Sequence, residues 1–112
     1  MEMQLSIRGK HEMARIIGIL QLGLLTALEQ GIVSIEEAEG YIFSPYTAEC
    51  LEQLEMDTRI VDVIRKGCEL EDIVSLLPQH LPKTIVDLKD EVVRICKDIP
   101  RPELPTEKLI KK

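Results

Sequence analysis

Three thiols, two imidazoles and two phenols are the side chains of this sequence best suited to chemistry beyond simple proton exchange. Cys50, Cys68 and Cys96 are odd in number and widely spaced, and His11 and His80 lie far apart. A tetrahedral metal site usually draws its ligands in close pairs such as CxxC or HxxxH, because two ligands from one turn converge readily. No such pair occurs, so no metal and no cofactor is expected. A Cys–His nucleophile needs the two side chains within hydrogen-bond reach. Cys68 and His80 flank one short helical stretch and are the pair that folding could unite, with Cys50 as a second thiol to consider. A buried cysteine beside a turn histidine is the plainer reading. No phosphate-cradling glycine loop is present: Gly18 and Gly23 sit inside an apolar run, not after a strand. Acidic clusters such as Glu36-Glu37-Glu39 and Glu69-Glu71-Asp72 read as helix starts and solvated faces. The chain is therefore expected to act by binding and not as an enzyme, with a thiol-dependent enzyme kept as an alternative.

One segment stands out for binding. Its three aromatic residues, Tyr41, Phe43 and Tyr46, fall within six positions around Pro45, and there is no Trp. Rings at a helix corner can fill the gap between two helices, each tyrosine hydroxyl finding water or a carbonyl. Alternatively the tyrosines face outward among Glu37, Glu39 and Glu49. Tyrosine ringed by charge is a common binding hot spot, and a cationic partner would suit it through charge and cation–π contact. Tyr41, Phe43, Tyr46, Glu37, Glu39 and Glu49 are thus the candidate partner-binding residues.

Charge sharpens that reading. The net charge of −6 is not evenly spread. Residues 1–15 carry +1, residues 16–58 carry −8 without a single Lys or Arg, and residues 59–112 carry +1. The acidic stretch also holds every aromatic. An acidic field repels phosphate, so no nucleic-acid partner is expected. A basic protein partner is the complementary expectation, as for an immunity-type neutraliser; a solvated helical face is the plainer one.

Helices have to position these groups. A hydrophobic content of 45% excludes a disordered chain, and the poverty in aromatics disfavours a β-sandwich or barrel. From His11 to Gln30, apolar residues at Met13, Ile16, Ile17, Leu20, Leu24 and Leu28 predict a first helix. Ile19, Leu22 and Leu25 widen the stripe until it nearly encircles the rod, which implies burial in a core or an oligomer interface. Its uninterrupted apolar run is shorter than the ~20 residues that span a bilayer, so no membrane partner is expected. Gly18 and Gly23 imply another helix crossing closely, and Gly31 a stop.

Ser34-Ile35-Glu36-Glu37 reads as a capping box opening a second helix that ends near Phe43. Ser44-Pro45 opens a third, Asp57 or Thr58 caps a fourth that ends at Gly67, and Leu70, Ile73, Val74 and Leu77 mark a short fifth. In the sixth, Leu81, Ile85, Leu88, Val92, Ile95 and Ile99 form a heptad seam broadened by Val86, Val93 and Cys96, with Asp90–Arg94 and Arg94–Asp98 as pairs on the wet face. Pro100, Pro102 and Pro105 then predict an extended arm with PxxP spacing. Gly31–Pro45 and Gly67–Pro82 echo one another as glycine stop, short helix, proline and longer helix. The expected architecture is all-α: a compact bundle of five or six helices around the apolar first helix, in one domain at 1–99, followed by a Pro-rich, basic-ended tail at 100–112.

Tyr41-Ile42-Phe43-Ser44-Pro45-Tyr46-Thr47 and Gly67-Cys68-Glu69-Leu70-Glu71-Asp72-Ile73-Val74-Ser75-Leu76-Leu77-Pro78 resemble the marks of a small uncharacterised bacterial domain-of-unknown-function family of about this length. The resemblance implies a bacterial, helical, cytosolic protein and carries over no catalytic residue. Three unpaired thiols also fit a reducing, cytoplasmic setting. The reading is a small protein-interaction or regulatory module that associates with itself, forming a homodimer or other homo-oligomer.

Overall fold

A computed structural model of the chain describes residues 1–103 and 107–112. In chain order the elements are β1 (Met3–Leu5), α1 (Lys10–Glu29), α2 (Ile35–Tyr41), α3 (Pro45–Gln53), α4 (Thr58–Cys68), α5 (Leu70–Leu76), a 3-10 turn (Pro78–His80), α6 (Leu81–Asp98) and β2 (Leu109–Lys111). The molecule is compact and mostly helical, as the composition implies. Neighbouring segments fuse: α4 passes into α5 through Glu69 alone, and the 3-10 turn runs directly into α6. The outcome is four joined helices with a two-stranded ribbon, instead of five or six separate rods.

The caps follow local chemistry. The Ser34 hydroxyl accepts from the Glu37 amide at 3.0 Å, and the Ser44 hydroxyl from the Thr47 amide at 3.2 Å, with Pro45 opening α3. The reciprocal arm of the capping box is not made, because the Glu37 carboxylate accepts from the Tyr41 hydroxyl at 2.8 Å. Asp57 caps α4 through the Arg59 amide at 2.9 Å. Gly31, with φ +73°, ends α1 in the left-handed conformation that a side chain would resist.

The core lies between α1, α4 and α6. The α6 seam is buried from Ile85 through Leu88, Val92 and Ile95 to Ile99, with Leu81 packed at its edge. It meets α1 where Gly18 lets the helices close: a methyl group there would stand 2.5 Å from the Cys96 Sγ. Gln21 of α1 is wholly buried, and its Nε2 donates to the Ile60 carbonyl at 3.0 Å. Arg59 ties the start of α4 to the end of α6, bonding Asp57 at 2.8 Å and Asp98 at 2.6 Å. Asp98 thus pairs across the fold and not with Arg94, and neither expected Arg94 pair forms among the described residues.

Several sequence expectations give way to tertiary geometry. The first helix is not buried all round: only Ala14, Gly18, Gln21 and Leu25 are buried, while Ile19 and Leu20 are exposed. No helix crosses Gly23, which faces open space. Gly67 does not stop α4 but lies within it, buried. In α5 only Leu70 is fully buried, with Ile73 packed half-buried against the core; Val74 and Leu77 are exposed, because α5 lies at the rim. The fold is also not purely helical. Residues 109–111 return to pair antiparallel with residues 3–5, Met3 opposite Lys111 and Leu5 opposite Leu109. The Lys108 ammonium meets the Glu12 carboxylate of α1 and pins the ribbon to the body. The Pro102–Pro105 spacing runs into residues 104–106, which lie outside the described residues.

Candidate protein-interaction site

The aromatic corner divides between inside and outside. Phe43 is 1% exposed, whereas Tyr41 and Tyr46 are 62% and 76% exposed. Phe43 therefore belongs to the core and is withdrawn from the binding residues. It is the second residue after α2, where the Ile42 and Phe43 amides both return to the Ala38 carbonyl, so the chain turns its ring inward. Glu37 and Glu49 are exposed and Glu39 is half-buried. The Tyr41 hydroxyl is held above its ordinary pKa by its bond to the Glu37 carboxylate, and Tyr46 by the Cys50 thiol beside it.

The Phe43 ring lies against Gly67 of α4. A methyl group at Gly67 would come within 2.6 Å of Cγ and 2.9 Å of Cε1. The two sequence segments Tyr41–Thr47 and Gly67–Pro78 thus meet at one close contact, made possible by the absence of a side chain on Gly67. Beside it, Glu39 faces Glu71. Burial first, then the Glu71 carboxyl and the charge of Glu36, push the Glu39 carboxyl above its usual range. One Glu39 oxygen is buried without a partner. Two carboxylates in one place favour a shared proton.

A wide, open concavity lies on the other side of Tyr41. Its floor is the uncovered face of α1, namely Ile19, Leu20, Gly23, Leu24 and Ala27; Met3 and Leu5 of β1 form one wall, and Tyr41 with Ile42 the other. The volume is about 960 Å³. Met3, Leu5, Ile19 and Leu20 are all exposed, a contiguous apolar surface of the kind that marks interaction sites. A small-molecule pocket would need convergent polar groups to orient its ligand. The one polar head here, the Tyr41 hydroxyl, is already spent on Glu37. Gly23 in the floor costs about 1 kcal/mol of helix stability relative to Ala, and nothing within 4 Å packs against it.

The comparisons with known proteins bear on the whole of this framework. A family model described as "Protein of unknown function (DUF3969)" matches residues 8–111, from the approach to α1 through β2. The chain belongs to the DUF3969 family. The match contains both segments that resemble a small domain-of-unknown-function family. No curated protein and no solved structure matches the chain.

A second concavity of this DUF3969 chain is explained by its own structure. A cavity of about 300 Å³ at the end of α6 gathers Arg15, Lys97 and Arg101. The Arg15 guanidinium donates to the Cys96 and Ile99 carbonyls at 3.2 and 3.4 Å. These cations answer the unpaired carbonyls and negative end of the helix. The thiols stand apart. Burial raises the pKa of Cys68 and of Cys96, so less of each is thiolate at neutral pH. His80 is exposed at the end of the 3-10 turn, and no hydrogen bond joins it to Cys68 among the described residues. Among those residues no cluster of three or more His, Cys, Asp or Glu is placed to hold a metal ion. Among the described residues α1 alone is long and apolar enough to span a bilayer; in this fold one face packs on α4 and α6 and the other lines the groove.

Proposed function

We propose that this DUF3969 protein is a small protein-interaction module that associates with itself through the groove on α1. The observation that carries the reading is the exposure of Ile19 and Leu20 together with Met3 and Leu5. A folded chain rarely leaves so large an apolar face in water without a partner to cover it. Binding instead of catalysis is supported by Cys68 and Cys96, whose raised pKa values weaken them as nucleophiles. Light scattering on a size-exclusion column tests the reading. A dimer with Kd of about 10 µM is mostly associated at about 100 µM, and Leu20→Glu should return it to a monomer with an unchanged far-ultraviolet spectrum. A wild-type chain that stays monomeric at that concentration refutes self-association.

A second reading is an acidic docking face for a basic protein. It rests on Glu36, Glu37 and Glu49, which are exposed and form no ion pair among the described residues. Titration with an arginine-rich peptide tests it. Binding that survives Glu36→Lys, Glu37→Lys and Glu49→Lys together places the contact elsewhere. In either reading the partner is protein and not nucleic acid, and the setting proposed is the bacterial cytoplasm.

A further inference from the structure

Resting on that self-association reading, we infer that the occupant of the groove is a second copy related by a two-fold axis that runs along the groove past Gly23, so that the α2 wall of each copy faces the β-ribbon wall of the other.

Three observations converge on this arrangement. Gly23 lies mid-floor, with Ile19 and Ala27 one turn to either side, and nothing occupies the space where its Cβ would be. That opening is where two α1 helices can cross with their backbones close. The groove walls are also unlike in charge. The α2 wall carries Glu37, whose carboxylate holds the Tyr41 hydroxyl, in a stretch with no basic residue. The ribbon wall carries Lys111, which pairs in register with Met3 and so shares the ribbon face that lines the groove. Finally, a two-fold axis running along the groove sets each wall against the opposite wall of the other copy, whereas an axis across the groove would set each wall against its own equivalent. Acidic then meets basic twice, with apolar floor on apolar floor between them. A translated copy, or a partner as acidic as residues 16–58, would not give this match.

The test uses the full chain. Gly23→Leu projects into open space and should fold normally, as read by thermal melting and circular dichroism. It should nevertheless abolish the dimer. Glu37→Lys makes both walls basic, and Lys111→Glu makes both acidic. Each variant should self-associate at least tenfold more weakly than wild type. Mixed together they should form a heterodimer of wild-type strength, because every acidic wall again meets a basic one. A Gly23→Leu chain that remains dimeric, or a mixture that does not associate, overturns this arrangement while leaving self-association intact. A monomeric wild-type chain overturns both.

Discussion

Replacing Gly67 by Ala tests the contact on which the two diagnostic segments converge. The added methyl would stand 2.6 and 2.9 Å from Phe43 ring carbons, against an ordinary carbon–carbon contact of about 3.5–4.0 Å. Phe43 is 1% exposed, and a buried aromatic ring cannot swing aside as the tip of a lysine would. Overpacking of a well-filled core costs about 1–3 kcal/mol, and three crowded ring atoms place this site in the upper part of that range. Ala offers back about 0.5–1 kcal/mol of helix propensity. The net expectation is a loss of about 2 kcal/mol, or roughly 8 °C in melting temperature for a domain of this size. Urea unfolding followed by circular dichroism gives the value directly. The same substitution made in a Phe43→Ala background should instead stabilise by about 0.5–1 kcal/mol, since the ring is gone and only the propensity gain remains. The resulting coupling is about 3 kcal/mol. If Gly67→Ala is neutral in the wild-type chain, or equally harmful without the Phe43 ring, the contact does not have the role assigned to it.

Three further expectations concern protons and thiols. Glu39 has its pKa raised by burial and by Glu71, so its contribution to stability is fullest below the unfolded carboxylate value of about 4.3 and is lost as pH rises through the folded value. Glu39→Gln should therefore melt higher than wild type at pH 7, with the gap closing near pH 4; equal melting temperatures at pH 7 would refute the assignment. Glu12 is shifted the other way, chiefly by its bond to Lys108 and then by the Arg8 amide. Its contribution is present above the unfolded value and disappears as pH falls through the folded one. The Ser6 amide, which donates to the Lys108 carbonyl at 2.7 Å, should lose hydrogen-exchange protection in acid, and Lys108→Met should lower that protection already at neutral pH. Cys68 and Cys96, whose pKa values burial raises, should react with iodoacetamide at pH 8 more slowly than a peptide thiol, and matching rates would bring the thiol-enzyme alternative back.

Much of the local order was legible in the residue pattern. Ser34, Ser44 and Asp57 cap helices where their hydroxyl or carboxylate can reach a free amide two or three residues on, an interaction that depends on nothing distant. The α6 seam from Ile85 to Ile99 is buried as its spacing required. The ribbon was not legible, because Met3–Leu5 and Leu109–Lys111 are too short to show a period and are brought together only by chain closure. Val74 and Leu77 mimic a core stripe, yet α5 has no neighbour on that side to receive them.

The candidate site divides along the same line. The sequence by itself determined that this chain is a mostly helical domain of a small family of unknown function, that its aromatics crowd one proline-marked corner, and that its net negative excess is confined to residues 16–58. Those are properties of composition and of contacts made within a few residues. Only the tertiary structure decided that Phe43 turns inward onto Gly67 while Tyr41 and Tyr46 turn outward, and that one face of α1 is left uncovered between β1 and α2. A helix apolar on every side carries no local instruction about which side will be covered. That choice falls to the elements that reach it, and α4 and α6 reach only the side bearing Gly18, Gln21 and Leu25.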